Sequence, residues 1–173
     1  MKTAVIYKSN TGFTRKYAEW IAEKLSADIF NVADITAKNL APYDAVIYGG
    51  SLHATGIIGI KFIKRNLDKL KGKKVAVFAV GATPVREETI CEVRDKNFTP
   101  EQLEHIKFFY LRGGFNYNKL KPFNKFLMTL MKRKLEKKKE LTPDDRGMLA
   151  AYDNPVDFTN IKYIEEIVAY VNS

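Results

Sequence analysis

Five short β-rich runs alternate with helical stretches along this chain, and that alternation constrains its fold more than any other feature. The runs are residues 3–7, 28–32, 44–48, 74–80 and 106–112. The third meets Gly49-Gly50, the fourth Gly81 and the fifth Gly113-Gly114. After the first run, Tyr17, Trp20, Ile21, Ala22 and Leu25 recur at helical spacing. Residues 57–70 read as a second helix with Ile60, Ile63, Leu67 and Leu70 on one face; residues 89–94 and 161–171 also read as helical. Such alternation predicts parallel strands with helices on both faces, an α/β, doubly wound, five-stranded sheet. Ligands of such sheets sit at the carboxyl ends of the strands. The loops at 9–14, 49–56 and 81–83 are expected to share that edge.

One domain of this kind accounts for all 173 residues. The single cysteine, Cys91, excludes an intrachain disulfide and a cysteine-based metal cluster, and it reads as an inert thiol. Cys-x5-Arg phosphatase chemistry fails because Asn97 stands where arginine is needed. The two histidines, His53 and His105, have no metal-ligand spacing. The N-terminal run is too short for a signal peptide, and no apolar stretch approaches the roughly 18 residues of a spanning helix. The expected location is cytoplasmic, with peripheral attachment to the inner face of the membrane as the alternative. A receiver domain shares the strand order but needs acids after the first strand and an aspartate closing the third. Lys8-Ser9 and Gly49-Gly50 occupy those places.

The loop after the first run carries the chemistry. Ser9-Asn10-Thr11-Gly12-Phe13-Thr14 places three hydroxyls, an amide and a glycine where a strand hands over to a helix. Hydroxyls donate to phosphate oxygens, glycine permits a tight turn, and the free N–H groups and dipole of a helix start favour a dianion. It is not a Walker A loop, because no Gly-Lys-Ser/Thr follows, and G-x-G-x-x-G is absent.

The formal charge is +9, and residues 119–139 hold nine Lys or Arg against one acid, Glu136. Within that stretch Leu120, Phe123, Phe126, Leu127, Leu130, Met131 and Leu135 form one helical stripe, with lysines expected on the other side. Three readings are open: a helix packed on the body with a solvated basic face, an interfacial or gating helix for an anionic apolar partner, and a nucleic-acid surface. The last is disfavoured, since no recognised binding module is present. Asp144-Asp145 after Thr142-Pro143 reads as a turn or helix cap.

Ser-x-Thr-Gly-x-Thr after an N-terminal strand resembles the FMN-phosphate loop of the flavodoxin family. That resemblance implies a 2-1-3-4-5 strand order and FMN as cofactor. It also implies two loops around the flavin ring, matched here by residues 49–56 and 80–83. A closer resemblance is to the flavodoxin-like protoporphyrinogen oxidases, in Gly49-Gly50-Ser51-Leu52, in residues 111–117 and in the basic, Met- and Phe-bearing stretch 123–132. The implied site is Ser9, Asn10, Thr11, Gly12, Phe13 and Thr14 for the phosphate. Gly50, Ser51, Leu52, His53, Ala54, Val80, Gly81, Ala82, Thr83 and Gly114 surround the ring, with Phe115 or Tyr117 as stacking partner. No catalytic side chain and no metal ligand are named. The implied organisation is a single flavodoxin-like domain with an insertion at about 118–148. Two functions stay open: an FMN enzyme passing electrons from a tetrapyrrole substrate to a quinone, and an FMN electron carrier docking a redox protein. Residues 119–139 offer the enzyme a surface for an anionic membrane and the carrier a docking patch for an acidic partner. The chain departs from carrier flavodoxins, which are acidic, in being basic.

Overall fold

Each central strand sends alternate residues to opposite faces, and the computed structural model, which describes residues 1–173, shows two cores as a result. The parallel sheet runs 28–31, 3–8, 45–53, 74–81, 107–112 across its width, the 2-1-3-4-5 order once a short antiparallel strand at 56–57 is set aside. In chain order the elements are β1 (Thr3–Lys8), α1 (Phe13–Leu25), β2 (Asp28–Asn31), β3 (Ala45–His53), β4 (Gly56–Ile57) and α2 (Lys61–Lys64). Then come β5 (Lys74–Gly81), α3 (Glu87–Asn97), α4 (Pro100–Leu103), β6 (Lys107–Arg112) and β7 (Gly114–Phe115). The chain ends with α5 (Pro122–Glu136), α6 (Pro143–Asp153), β8 (Val156–Asp157) and α7 (Glu165–Asn172).

On one face Val5, Ile47, Phe78 and Leu111 pack against Tyr17, Ala18 and Ile21 of α1 and Ile167 and Val171 of α7. On the other, Ile6, Val46, Tyr48 and Val77 pack against Ile60, Ile63, Leu70, Val93 and Phe98. Central strands buried on both faces require the continuous apolar runs seen in the sequence.

Two elements differ from the sequence expectation. The third strand does not end at Gly49-Gly50; it continues to His53, with Gly49 opposite Phe78 and Gly50 opposite Ala79. A Cβ on Gly49 would lie 2.1 Å from the Phe78 ring, and one on Gly50 2.3 Å from Ile57. These glycines make room for neighbouring side chains rather than stop the strand. The helix expected over 57–70 is broken into β4, the single turn of α2 and a 3₁₀ turn at Leu67–Leu70. Ile57 pairs back on Leu52, and Gly59 adopts φ +76, which no continuing helix allows. The apolar spacing still predicts burial correctly, because Ile60, Ile63 and Leu70 are all in the core.

The stretch between β6 and α7 forms two helices. Pro122 opens α5, and Thr142 opens α6 by a reciprocal capping box with Asp145. The short ribbon β7–β8 pairs Gly114 with Asp157 and Phe115 with Val156, which returns the chain to the sheet edge.

Candidate functional site

The turn from β1 into α1 is held by three hydrogen bonds. Gly12 takes φ +100 as the residue before the helix, and its N–H donates to Ser9 Oγ at 3.1 Å. The Asn10 N–H donates to Ser51 Oγ at 3.2 Å, and the Ser51 and Thr14 hydroxyls share a 2.7 Å bond. Ser51 therefore joins the first loop to the end of β3. Thr14 is fully buried, so its hydroxyl is a brace between loops rather than a free phosphate donor. The N–H groups of Thr11, Phe13, Thr14 and Arg15 have no partner in the protein, and no acid sits in the first turn of α1. Unpaired donors at a positive helix end form an anion cradle. Thr11 adds a hydroxyl with no protein partner.

This turn opens into a cavity of about 460 Å³. Thirteen of the sixteen expected site residues line it: Asn10, Thr11, Phe13, Thr14, Ser51, Leu52, His53, Ala54, Val80, Gly81, Ala82, Thr83 and Gly114. Ser9, Gly12 and Gly50 do not. Ser9 and Gly12 shape the turn from behind, and Gly50 lies within β3 under Ile57. His53 closes β3 opposite Gly56, and Ala54 and Thr55 form the tip of the β3–β4 hairpin, with Ala54 at φ +52. The third loop is pinned from below, since Tyr110 donates its hydroxyl to the Thr83 carbonyl at 2.9 Å.

Phe115 lines the cavity, whereas Tyr117 does not. The Tyr117 hydroxyl bonds Thr129 at 2.6 Å and its ring packs on Tyr152, so it anchors α5 rather than offering a stacking face. The sequence reading missed the outer wall: Asn116, Leu120, Asn124, Leu127, Met128, Met131 and Met148. The signal was the Met-bearing stripe of residues 120–135, whose packing partner periodicity alone does not reveal.

That stripe splits in a way the amphipathic reading did not anticipate. Leu120, Leu127 and Met131 line the cavity, with Met128 beside them, and Leu135 is buried, but Phe123 and Phe126 are 69% and 59% exposed and Leu130 is 45% exposed. Lys125 and Lys132 lie over the Tyr117 and Tyr152 rings at 5.0 and 5.4 Å, toward the body. The expected arrangement, apolar side in and all lysines out, is thus partly reversed. Cys91 stands apart on α3, half-buried, with its thiol 3.5 Å from a Glu87 carboxylate oxygen.

Two buried phenols tie the fold to these loops. Tyr17 donates to the Arg112 carbonyl and accepts from the Asn160 N–H, and Tyr110 holds Thr83. Burial pushes both up to about 12. Raised phenol values favour the neutral, folded form, so this contribution is whole below pH 10. It is lost as the pH climbs from about 10 toward 12, where the unfolded chain releases its protons first. Urea melts across that range are expected to show falling stability, with a shallower fall in Tyr17→Phe.

Residues 4–142 match the family model of the flavodoxin domain. The chain belongs to the flavodoxin family. A flavodoxin of Maridesulfovibrio salexigens is 36% identical over 93 residues, 46% of this chain, and the match spans 63% of that protein. An uncharacterised protein of Methanocaldococcus jannaschii is 30% identical over 132 residues, 71% of this chain and 83% of that protein. Among solved structures, the Trp repressor binding protein of Bacillus subtilis is similar with 21% identity and a TM-score of 0.48, over 66% of this chain and 85% of that one. Flavodoxins are FMN proteins of electron transfer, and FMN is the cofactor of this family. The residues present suit it: a cradle of unpaired N–H groups for a phosphate dianion, then a mainly apolar cavity between two strand-end loops for a ring system.

Proposed function

We propose that this protein is a flavodoxin-type electron-transfer protein that holds FMN in the cavity at the carboxyl ends of β1, β3 and β5. The observation that carries this reading is the cradle of unpaired N–H groups at a helix start with no acid in its first turn, opening directly into that cavity. The residues from Asn10 to Thr14 take the phosphate, with Ser9 fixing the turn. Ser51 to Ala54 and Val80 to Thr83 flank the ring, with Gly50 and Gly114 giving room behind. Bound FMN supplies the one- and two-electron chemistry, while the protein orients it and limits water. No side chain is needed as acid or base. The basic face around α5 steers an acidic redox protein to the site, an attraction that weakens with salt.

The test is an FMN titration of the purified protein followed by reduction with a flavodoxin reductase. Flavin bands that persist through gel filtration and are bleached by the reductase support the reading; no retained flavin in excess FMN overturns it. Ser51→Ala leaves the Asn10 N–H and the Thr14 hydroxyl unpaired, at about 1–3 kcal/mol. Its thermal midpoint and its FMN affinity are both expected to fall.

A second reading is favoured by the exposed Phe123, Phe126 and Leu130 beside so many cations. In it, α5 lies on an anionic membrane and the protein oxidises a reduced tetrapyrrole, protoporphyrinogen, with a membrane quinone as acceptor. Co-sedimentation with phosphatidylglycerol vesicles, lost in Phe126→Ser/Leu130→Ser, together with turnover of protoporphyrinogen by a quinone, selects this reading. A carrier shows neither.

A further inference from the structure

Beyond the FMN cavity lies a second chamber of about 370 Å³, enclosed by the third flavin loop, the exit of β6, the β7–β8 ribbon and α6. It shares Ala82, Thr83, Phe115 and Met148 with the FMN cavity, so the two spaces are neighbours across a common wall. Phe115, Met148, Val156 and Phe158 give it an apolar lining. Its volume lies at the small-molecule end of the range for ligand pockets, roughly 300–1,000 Å³.

One cation in this lining has no acidic partner. The Arg112 guanidinium stacks over the Phe158 ring at 3.8 Å, and its Nε makes a single long bond, 3.5 Å, to the Ala82 carbonyl. Its terminal nitrogens have no partner in the protein. The carboxylate on the same wall, Asp144, is already held by both terminal nitrogens of Arg86, at 2.8 and 3.2 Å. The uncompensated charge in the chamber is therefore positive. The Phe158 ring beneath it is 38% exposed and supports the guanidinium on its face, which holds the planar, forked donor in place. A guanidinium fixed in this way suits a carboxylate, which takes two parallel N–H donors.

We propose that this chamber is a small-molecule site for a one- or two-ring aromatic carboxylate, its acid group on Arg112 and its rings against Phe115, Met148 and Val156. The site is separate from the proposed phosphate cradle, since no residue of the β1–α1 turn lines it. That the occupant sits beside a flavin rests on the FMN reading above; that it binds does not.

The test is isothermal titration of the FMN-loaded protein with 2-naphthoate and with its neutral analogue 2-naphthalenemethanol. A charged pairing of this kind predicts at least about tenfold tighter binding of the acid. Arg112→Gln is expected to bind both compounds alike, and Arg112→Lys to keep part of the preference; the thermal midpoint serves as the folding control for each variant, since Arg112 also bonds Ala82 of the FMN cavity. Equal binding of acid and alcohol by the unaltered protein overturns the proposal, as does no binding of either. Binding of 2-naphthoate only to FMN-free protein, with displacement by FMN, also overturns it, because the chamber then belongs to the flavin site. A protein that takes no FMN at all defeats the electron-transfer reading, while its preference between the two naphthyl probes still decides the chamber.

Discussion

Gly12→Val is expected to lower FMN affinity by about 30- to 150-fold while leaving the sheet folded. Gly12 holds φ +100, and no heavy atom lies within 4 Å of the position a Cβ would take. The penalty is therefore conformational, not a clash. A β-branched residue at such a φ costs about 2–3 kcal/mol, which converts to the stated range. Valine relieves that strain by rotating the turn, which breaks the Gly12-to-Ser9 bond and swings the N–H groups of Thr11 and Phe13 out of register. FMN binding then has to restore the strained turn. Gly12→Ala, with a smaller penalty of about 1–2 kcal/mol, falls between valine and the unaltered protein. Lys132→Ala, on the body side of α5, leaves FMN affinity unchanged. Quenching of FMN fluorescence during titration measures all three. Equal affinities across the series remove the β1–α1 turn from the phosphate site.

The parts of this molecule legible in the sequence are those set by local chemistry. Strand runs buried on both faces have to be apolar along their length, so β1, β3, β5 and β6 announce themselves. The turn proposed for the phosphate is legible because all of its donors but the Arg15 N–H lie within six consecutive residues. What stayed hidden depends on partners distant in sequence. Gly49 and Gly50 read as a strand end, since nothing nearby shows that Phe78 and Ile57 will pack over them. Thr14 reads as a phosphate donor, since its bond to Ser51 spans 37 positions. Tyr117 reads as a flavin-stacking ring until Thr129 and Tyr152 claim it. The α5 stripe has a clear helical period, but period alone does not say which third of an apolar face meets the cavity and which meets solvent.

The same dependence on distant partners makes Gly114 a sensitive position outside the turn proposed for the phosphate. A Cβ there would stand 2.2 Å from the Val156 carbonyl oxygen and 2.6 Å from the Phe13 ring. The first contact is with backbone, so Gly114→Ala must push β7 from β8, and the second displaces the residue that opens α1. Overpacking of this kind costs about 2–3 kcal/mol. In a chain of this size that lowers the melting temperature by about 5–10 °C. Because Phe13 lines the FMN cavity and Lys16 on the same helix bonds Asp157 of β8 at 2.9 Å, the damage is expected to reach the flavin site as well. FMN affinity should fall together with stability. Gly147→Ala provides the contrast. Gly147 lies inside α6 with open space around its Cβ position, so alanine there is expected to add about 0.5–1 kcal/mol and leave FMN binding alone. Thermal melts of both variants with and without FMN separate these outcomes. A Gly114→Ala protein that loses stability but binds FMN as tightly as before would show that the β7–β8 ribbon supports α5 and α6 without bearing on the phosphate turn.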